Sequence, residues 1–146
     1  MLSFLLVLAV MDPRSLIKLG NEDSHQLALG CWRAQNIKRW PELELLHHIP
    51  NGGSRDVREA GKLKAMLTKS GISDLFLPVA RRGFHGFYLE MKHDATGMSD
   101  LAKAKMVAPN QKEWIDKVIA QGYCAGVAYG YDEAVKALEW YLGDGD

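Results

Sequence analysis

The stretch that decides the fold runs from Gly71 to Lys92, G-I-S-D-L-F-L-P-V-A-R-R-G-F-H-G-F-Y-L-E-M-K. It reads as two apolar strands, Asp74–Ala80 and Gly86–Lys92, joined by Arg81-Arg82-Gly83-Phe84-His85 with Gly83 to supply the turn. Folding the hairpin about Arg82 and Gly83 sets Asp74 opposite the Glu90–Lys92 end of the second strand. Residues two apart on a strand share a face, so Glu90 and Lys92 point together. Three charged groups therefore converge at one end of an oily hairpin. Burying them is unfavourable unless they are paired or neutralised. One reading is a structural ion pair of Lys92 with either acid. The other is a divalent cation between Asp74 and Glu90, since Mg²⁺ takes one or two carboxylates plus water and substrate phosphate. E-x-K tripeptides are common, so the rest of the chain has to decide.

At 146 residues the chain is expected to form one domain with a core of its own. Two cysteines, Cys31 and Cys124, lie far apart and form no C-x-x-C. They read as reduced, buried thiols rather than a disulfide framework or a zinc site. The formal net charge is zero, which argues against a non-specific nucleic-acid coat. The charge is unevenly spread, however. Residues 47–92 carry eight Lys or Arg against four acids, and residues 132–146 carry five acids against one base. The middle of the chain can present a basic surface to a polyanion. The apolar run of residues 1–11 is too short to span a bilayer and has no basic residue before it. It resembles a signal h-region with Val7-Leu8-Ala9 as a cleavage site, but the chain lacks a secreted cysteine pattern. The other readings are an extra strand or helix on the core or sequence upstream of a natural start at Met11, and the expected location is the cytoplasm.

Outward from the hairpin, residues 22–39 read as the first long helix, with Leu27, Ala28, Cys31, Trp32 and Ala34 at helical spacing and Pro41 beyond its end. Glu22 and Gln26 share a face near its start. Residues 43–49 read as a strand, on which His47 and His48 point to opposite faces and make a poor chelate. Asn51-Gly52-Gly53 is a turn, followed by a helix capped by Ser54 with Asp56 in its first turn. That helix is expected to bury Val57, Ala60, Leu63 and Leu67, to expose Lys62, Lys64 and Lys69, and to end at Gly71. Residues 93–109 read as a polar insert with a helical turn at 100–105. Pro109 and Gly122 bracket another helix, with Trp114, Ile115, Val118 and Ile119 inward and Gln111 in its first turn. Residues 123–129 then read as a strand, and 132–142 as a closing helix with Ala134, Val135, Leu138 and Leu142 inward. This order predicts an α/β fold, a mixed central sheet flanked by helices on both faces. Trp40, Trp140 and Tyr141 are candidates for an exposed apolar patch, although such residues are more often simply core or rim.

The ordered set H-I-P-N-G-G-S-R (48–55), G-I-S-D-L-F-L-P (71–78), G-F-Y-L-E-M-K (86–92), N-Q-K-E-W (110–114), Q-G-Y (121–123) and A-Y-G-Y-D-E-A (128–134) resembles the VRR-NUC family, a branch of the PD-(D/E)XK nucleases. The resemblance covers residues 22–142. It implies a restriction-endonuclease-like core and Mg²⁺- or Mn²⁺-dependent cleavage of DNA in replication and repair, in a bacterium or a phage-infected cell. Small members resemble Holliday-junction resolvases and form homodimers, so a branched DNA substrate, a homodimer and no membrane partner are expected. The resemblance implies Asp74 and Glu90 as metal ligands with the Met91 main-chain carbonyl, and Lys92 as the motif lysine. Gln111 matches the glutamine of the next helix. Glu22 matches the acid of the first helix, as a catalytic residue and metal ligand, with Asp23 the alternative. Asn51, Gly53 and Arg55, with Arg58 and Lys62 beyond them, are implied as DNA contacts. Two departures stand out: Ser73 replaces the usual proline before the aspartate, and the link between Lys92 and Gln111 is longer than usual. Competing functions are a flap or nicking nuclease and a DNA-binding homologue that no longer cleaves.

Overall fold

The computed structural model describes residues 7–19, 23–50 and 56–143. Its centre is a four-stranded sheet in the order β1-β2-β3-β4, with β1 His47–His48, β2 Leu75–Leu77, β3 Phe87–Lys92 and β4 Cys124–Tyr129. The first three strands pair antiparallel and β3 pairs parallel with β4. Leu75 faces Leu89 and Leu77 faces Phe87, so the hairpin closes in the register the sequence predicts. Its turn is tight. Arg81 and Phe84 exchange backbone hydrogen bonds, and Arg82 (φ 53°) and Gly83 (φ 82°) both occupy the left-handed region of a type I′ turn.

β2 is shorter than the expected Asp74–Ala80, because Pro78 has no N–H to give to the ladder. The expected strand over 43–49 is also cut back. Pro41 starts a 3₁₀ turn, Pro41–Leu45, and the strand is reduced to His47–His48 along the sheet edge, with the Ile49 N–H adding a bond to the Asp74 carbonyl at 2.7 Å. His47 keeps its ring on the Leu45 carbonyl (2.9 Å) and edge-on to Phe76.

Side-chain alternation puts two helical layers on opposite faces. Phe87 stacks on Tyr141 of the last helix, α6 (Tyr131–Leu142), at 5.0 Å. Its neighbour Tyr88 points the other way and meets Trp114 of α5 (Pro109–Ala120) at 5.4 Å. The core lies on the α6 side. Leu75, Leu77, Phe87 and Leu89 pack there against α6 and against α2 (Ser24–Asn36), which buries Ala28, Leu29, Cys31 and Trp32. Each fully buried leucine contributes about 1.5–3 kcal/mol. Tyr141 belongs to this core and donates its hydroxyl to the Val79 carbonyl at 2.6 Å. Trp40 is buried as well, its indole on the Gly143 carbonyl at 2.8 Å, so of the three aromatics expected on an apolar patch only Trp140 is exposed.

Residues 7–10 are helical and precede the short helix α1 (Pro13–Ile17). The carbonyls of Leu8 and Met11 accept from the Cys31 thiol at 3.0 and 3.2 Å, which ties this segment to α2. Cys124 is half-buried rather than buried, and both thiols are free.

The largest departure from expectation is α3 (Val57–Ala65). Its cap is Asp56, which accepts from the Arg58 N–H at 2.9 Å, while Ser54 lies outside the described residues. It ends at Ala65 rather than Gly71, with Leu67 in the left-handed region. Of the stripe expected to be buried only Leu63 is half-buried among the described residues; Val57 is 85% exposed and Leu67 90%. No sheet or helix lies over this face among the described residues. On α5 only Val118 is fully buried, and Ile119 of the expected inner face is exposed. Beyond β3, Ser99 caps α4 (Asp100–Lys105), and the Tyr129 hydroxyl holds this insert to the sheet through the Lys103 carbonyl at 2.9 Å.

Candidate active site

The site is built where the β2–β3 ladder stops. Leu75↔Leu89 is its last pair at this end, so Asp74 extends past it toward Glu90 and Met91. The Asp74 carboxylate accepts from the Met91 N–H at 2.7 Å. The N–H and C=O of a strand residue point to the same edge, so the Met91 carbonyl faces the Asp74 side too.

Glu90 and Lys92 leave β3 on one face, as the two-residue spacing requires. Glu90 is 2% exposed and the Lys92 side chain 18%, and their charged atoms are 3.4 Å apart. Gln111, in the first turn of α5, joins them. Its amide nitrogen donates to Glu90 Oε1 at 2.7 Å, and its Oε1 accepts from Lys92 Nζ at 2.9 Å. The same Oε1 takes the backbone N–H of Ala108 at 3.0 Å, which fixes the amide at the helix start. One side chain thus sets the distance between the acid and the base.

Glu90 is held against its charge. Burial first, and then the negative charge of Asp74, raise its pKa from 4.5 to about 7, although Lys92 pulls the other way. Its second oxygen, Oε2, is buried and has no hydrogen-bond partner. A buried carboxylate with one orphan oxygen beside a second carboxylate is short of positive charge, and Lys92 alone does not satisfy it. The Asp74–Glu90 pair and the adjacent oxygen of Met91 are a hard, all-oxygen donor set that suits Mg²⁺ or Mn²⁺. Among the described residues no third His, Cys, Asp or Glu joins them closely enough to complete a three-residue metal group.

A cleft of about 440 Å³ opens on this end of the sheet. Asp74, Met91, Lys92 and His93 line it from the strands, Asp23, His25 and Gln26 from the start of α2, and Met106 from the insert. Asp23 makes no side-chain cap bond to α2. Glu22 lies outside the described residues, as do Asn51, Gly53 and Arg55. Arg58 and Lys62 are exposed on α3 and do not line the cleft. A larger hollow of about 780 Å³ lies beside α3, among Ala60, Leu63, Leu67 and Lys69, away from these groups. His25 and His93 were not singled out by the sequence reading. His25 sits two residues after Asp23 and directly before Gln26 in the sequence, which was the available signal. Ser73, at the family's proline position, is buried with its hydroxyl unpartnered.

No family profile matches the chain, and no curated protein does. Among solved structures, a protein described as a VRR_NUC domain protein is 32% identical to it, with a TM-score of 0.67. The match covers 86% of this chain and 91% of that one.

Proposed function

The chain belongs to the VRR-NUC family, with its α/β restriction-endonuclease-like fold, and from that premise we propose that it is a metal-dependent DNA endonuclease. The observation that carries the reading is the Gln111 bridge, which holds the Glu90 carboxylate and the Lys92 ammonium together beside Asp74. An ion pair kept only for stability needs no third residue to set its spacing.

In this reading Asp74, Glu90 and the Met91 carbonyl would hold Mg²⁺ or Mn²⁺. A cation bound there lowers the pKa of its water and offsets charge on the scissile phosphate. Lys92 positions the attacking water and stabilises the oxyanion that develops at phosphorus. Gln111 is a positioning residue, since it acts through Glu90 and Lys92. Glu22, or Asp23 at the N-cap of α2, would help bind a second ion or orient the ligands of the first through hydrogen bonds. Attack in line with the leaving oxygen leaves a 5′-phosphate and a 3′-hydroxyl. Asn51, Gly53, Arg55, Arg58 and Lys62 contact the DNA backbone. The proposed substrate is branched DNA of the Holliday-junction type, cut by a homodimer during replication or repair. The exposed Trp140 and the open face of α3 leave surface for a second protomer.

The test is a panel of labelled duplex, single-strand, flap and mobile four-way-junction DNAs in EDTA, Mg²⁺ or Mn²⁺. Symmetrical, metal-dependent nicks confined to the junction are expected. Cutting of flaps or duplex instead keeps the chemistry and replaces the resolvase with a flap or nicking nuclease. Binding without cutting under every metal identifies a non-cleaving homologue.

A further inference from the structure

His25 lines the same cleft as Asp74 and Lys92, yet the reaction above does not use it. Its Nδ1 accepts the backbone N–H of Tyr131 at 2.9 Å. A ring nitrogen that accepts a hydrogen bond carries no proton, so the neutral imidazole bears its hydrogen on Nε2. Tyr131 is the first residue of α6, and its N–H has no partner within the helix. The helix end thus fixes the tautomer. It also polarises the ring, because the donor to Nδ1 lies at the positive end of the helix dipole.

The position of the ring is tied to the catalytic strand. Gly130 N–H goes to the Lys92 carbonyl at 3.0 Å, and the next N–H, that of Tyr131, goes to His25. Two consecutive peptides therefore grip Lys92 and His25. Gly130 (φ +98°) allows this close approach, since a Cβ there would stand 3.4 Å from His25 Cε1 and 3.3 Å from Asp94 Cα. The nearby Asp94 spends its Oδ1 on the Thr96 N–H and hydroxyl at 2.8 and 2.5 Å. Among the described residues no group accepts from Nε2. Helix caps are ordinarily supplied by a short polar side chain next to the helix. Here the cap comes from 106 residues away, from a ring that also lines the cleft and keeps a second donor, Nε2–H.

We propose that His25 binds the DNA backbone: its Nε2–H donates to a phosphate oxygen of the strand held at Asp74 and Lys92. The inference rests on the nuclease reading and adds a neutral, directional contact to it. His25→Asn separates the two roles. Its Oδ1 reaches the Tyr131 N–H and keeps the cap, but nothing stands where Nε2 was. The probes are a labelled four-way junction and a labelled duplex, with Ca²⁺ as the only divalent ion so that binding is read without turnover. The melting temperature of His25→Asn is expected to match the wild type while Kd rises about tenfold, the usual effect of losing a hydrogen bond to a charged group. Unchanged affinity in a folded His25→Asn overturns the proposal and leaves the nuclease reading in place. Failure of the wild type to bind either DNA overturns both. Should His25→Asn not fold, the imidazole ¹⁵N signals of the wild type decide. A shift of Nε2 with Nδ1 unmoved, on adding a short oligonucleotide, supports the contact, and two unmoved signals overturn it.

Discussion

The end of the hairpin and helix α3 carry comparable sequence signals and meet opposite fates. Both are short patterns of charged and apolar residues. At the hairpin end the pattern closes: Asp74, Glu90 and Lys92 are drawn together, and a residue from another helix completes them. On α3 Val57, Ala60 and Leu67 of the apolar stripe stay open to solvent and Leu63 is only half-buried. Strand pairing is a long-range constraint with one solution, because a one-residue slip would turn every side chain to the wrong face. An amphipathic helix states only that one face can be covered, not by what.

The first way to break this contrast is to remove the acid at its centre. Asp74→Ala is expected to abolish the rise in melting temperature that Mn²⁺ gives the wild type at pH 8, as measured by thermal denaturation. An equal rise in the variant would move the metal away from the hairpin end. Lys92→Ala comes next. It is expected to keep the Mn²⁺-dependent rise but to lower the single-turnover cleavage rate about 10²–10³-fold, the scale of losing a group that stabilises transition-state charge. Gln111→Ala should act in the same direction and by less, about tenfold, because it removes the clamp and leaves the ammonium. A Gln111→Ala rate as low as that of Lys92→Ala would give the glutamine a direct part in the reaction.

Glu90→Gln sharpens the contrast through pH. The folded-state pKa of Glu90, about 7, lies above its ordinary 4.5, so the fold favours the protonated acid. The stability this gives is fully present below pH 4.5 and is lost as pH rises through the window to about 7. In metal-free protein Glu90→Gln should therefore match the wild type below pH 4.5 and exceed it at pH 8 by on the order of 3 kcal/mol. Denaturant unfolding at the two pH values reads this. A variant less stable than the wild type at pH 8 would mean that Lys92 and Gln111 satisfy the carboxylate without a cation. The smallest effect is expected on α3. Val57→Ala should change stability by less than about 0.5 kcal/mol, whereas Leu138→Ala in the core should lose about 2–5 kcal/mol.

The parts of the molecule legible in the sequence follow the same division. Period-two alternation and the Arg82-Gly83 turn gave the hairpin register, and with it the meeting of Asp74, Glu90 and Lys92. The place of Gln111 in the first turn of α5 was readable from Pro109. That it bridges both partners was not, since this depends on how α5 lies across β3. Which of Trp40, Trp140 and Tyr141 is exposed was not readable, because an aromatic residue looks alike in sequence whether it faces core or solvent. The start of the strand at 43–49 was missed because Pro41 favours a 3₁₀ turn that apolar spacing does not reveal. His25 escaped because its role depends on Tyr131, more than a hundred residues away.

The most direct test of the account is one side-by-side cleavage assay of wild type and Asp74→Ala on labelled DNA, in EDTA and in Mg²⁺. The account predicts phosphodiester cleavage by the wild type in Mg²⁺ alone and none by Asp74→Ala. Undiminished Mg²⁺-dependent cutting by Asp74→Ala would contradict it.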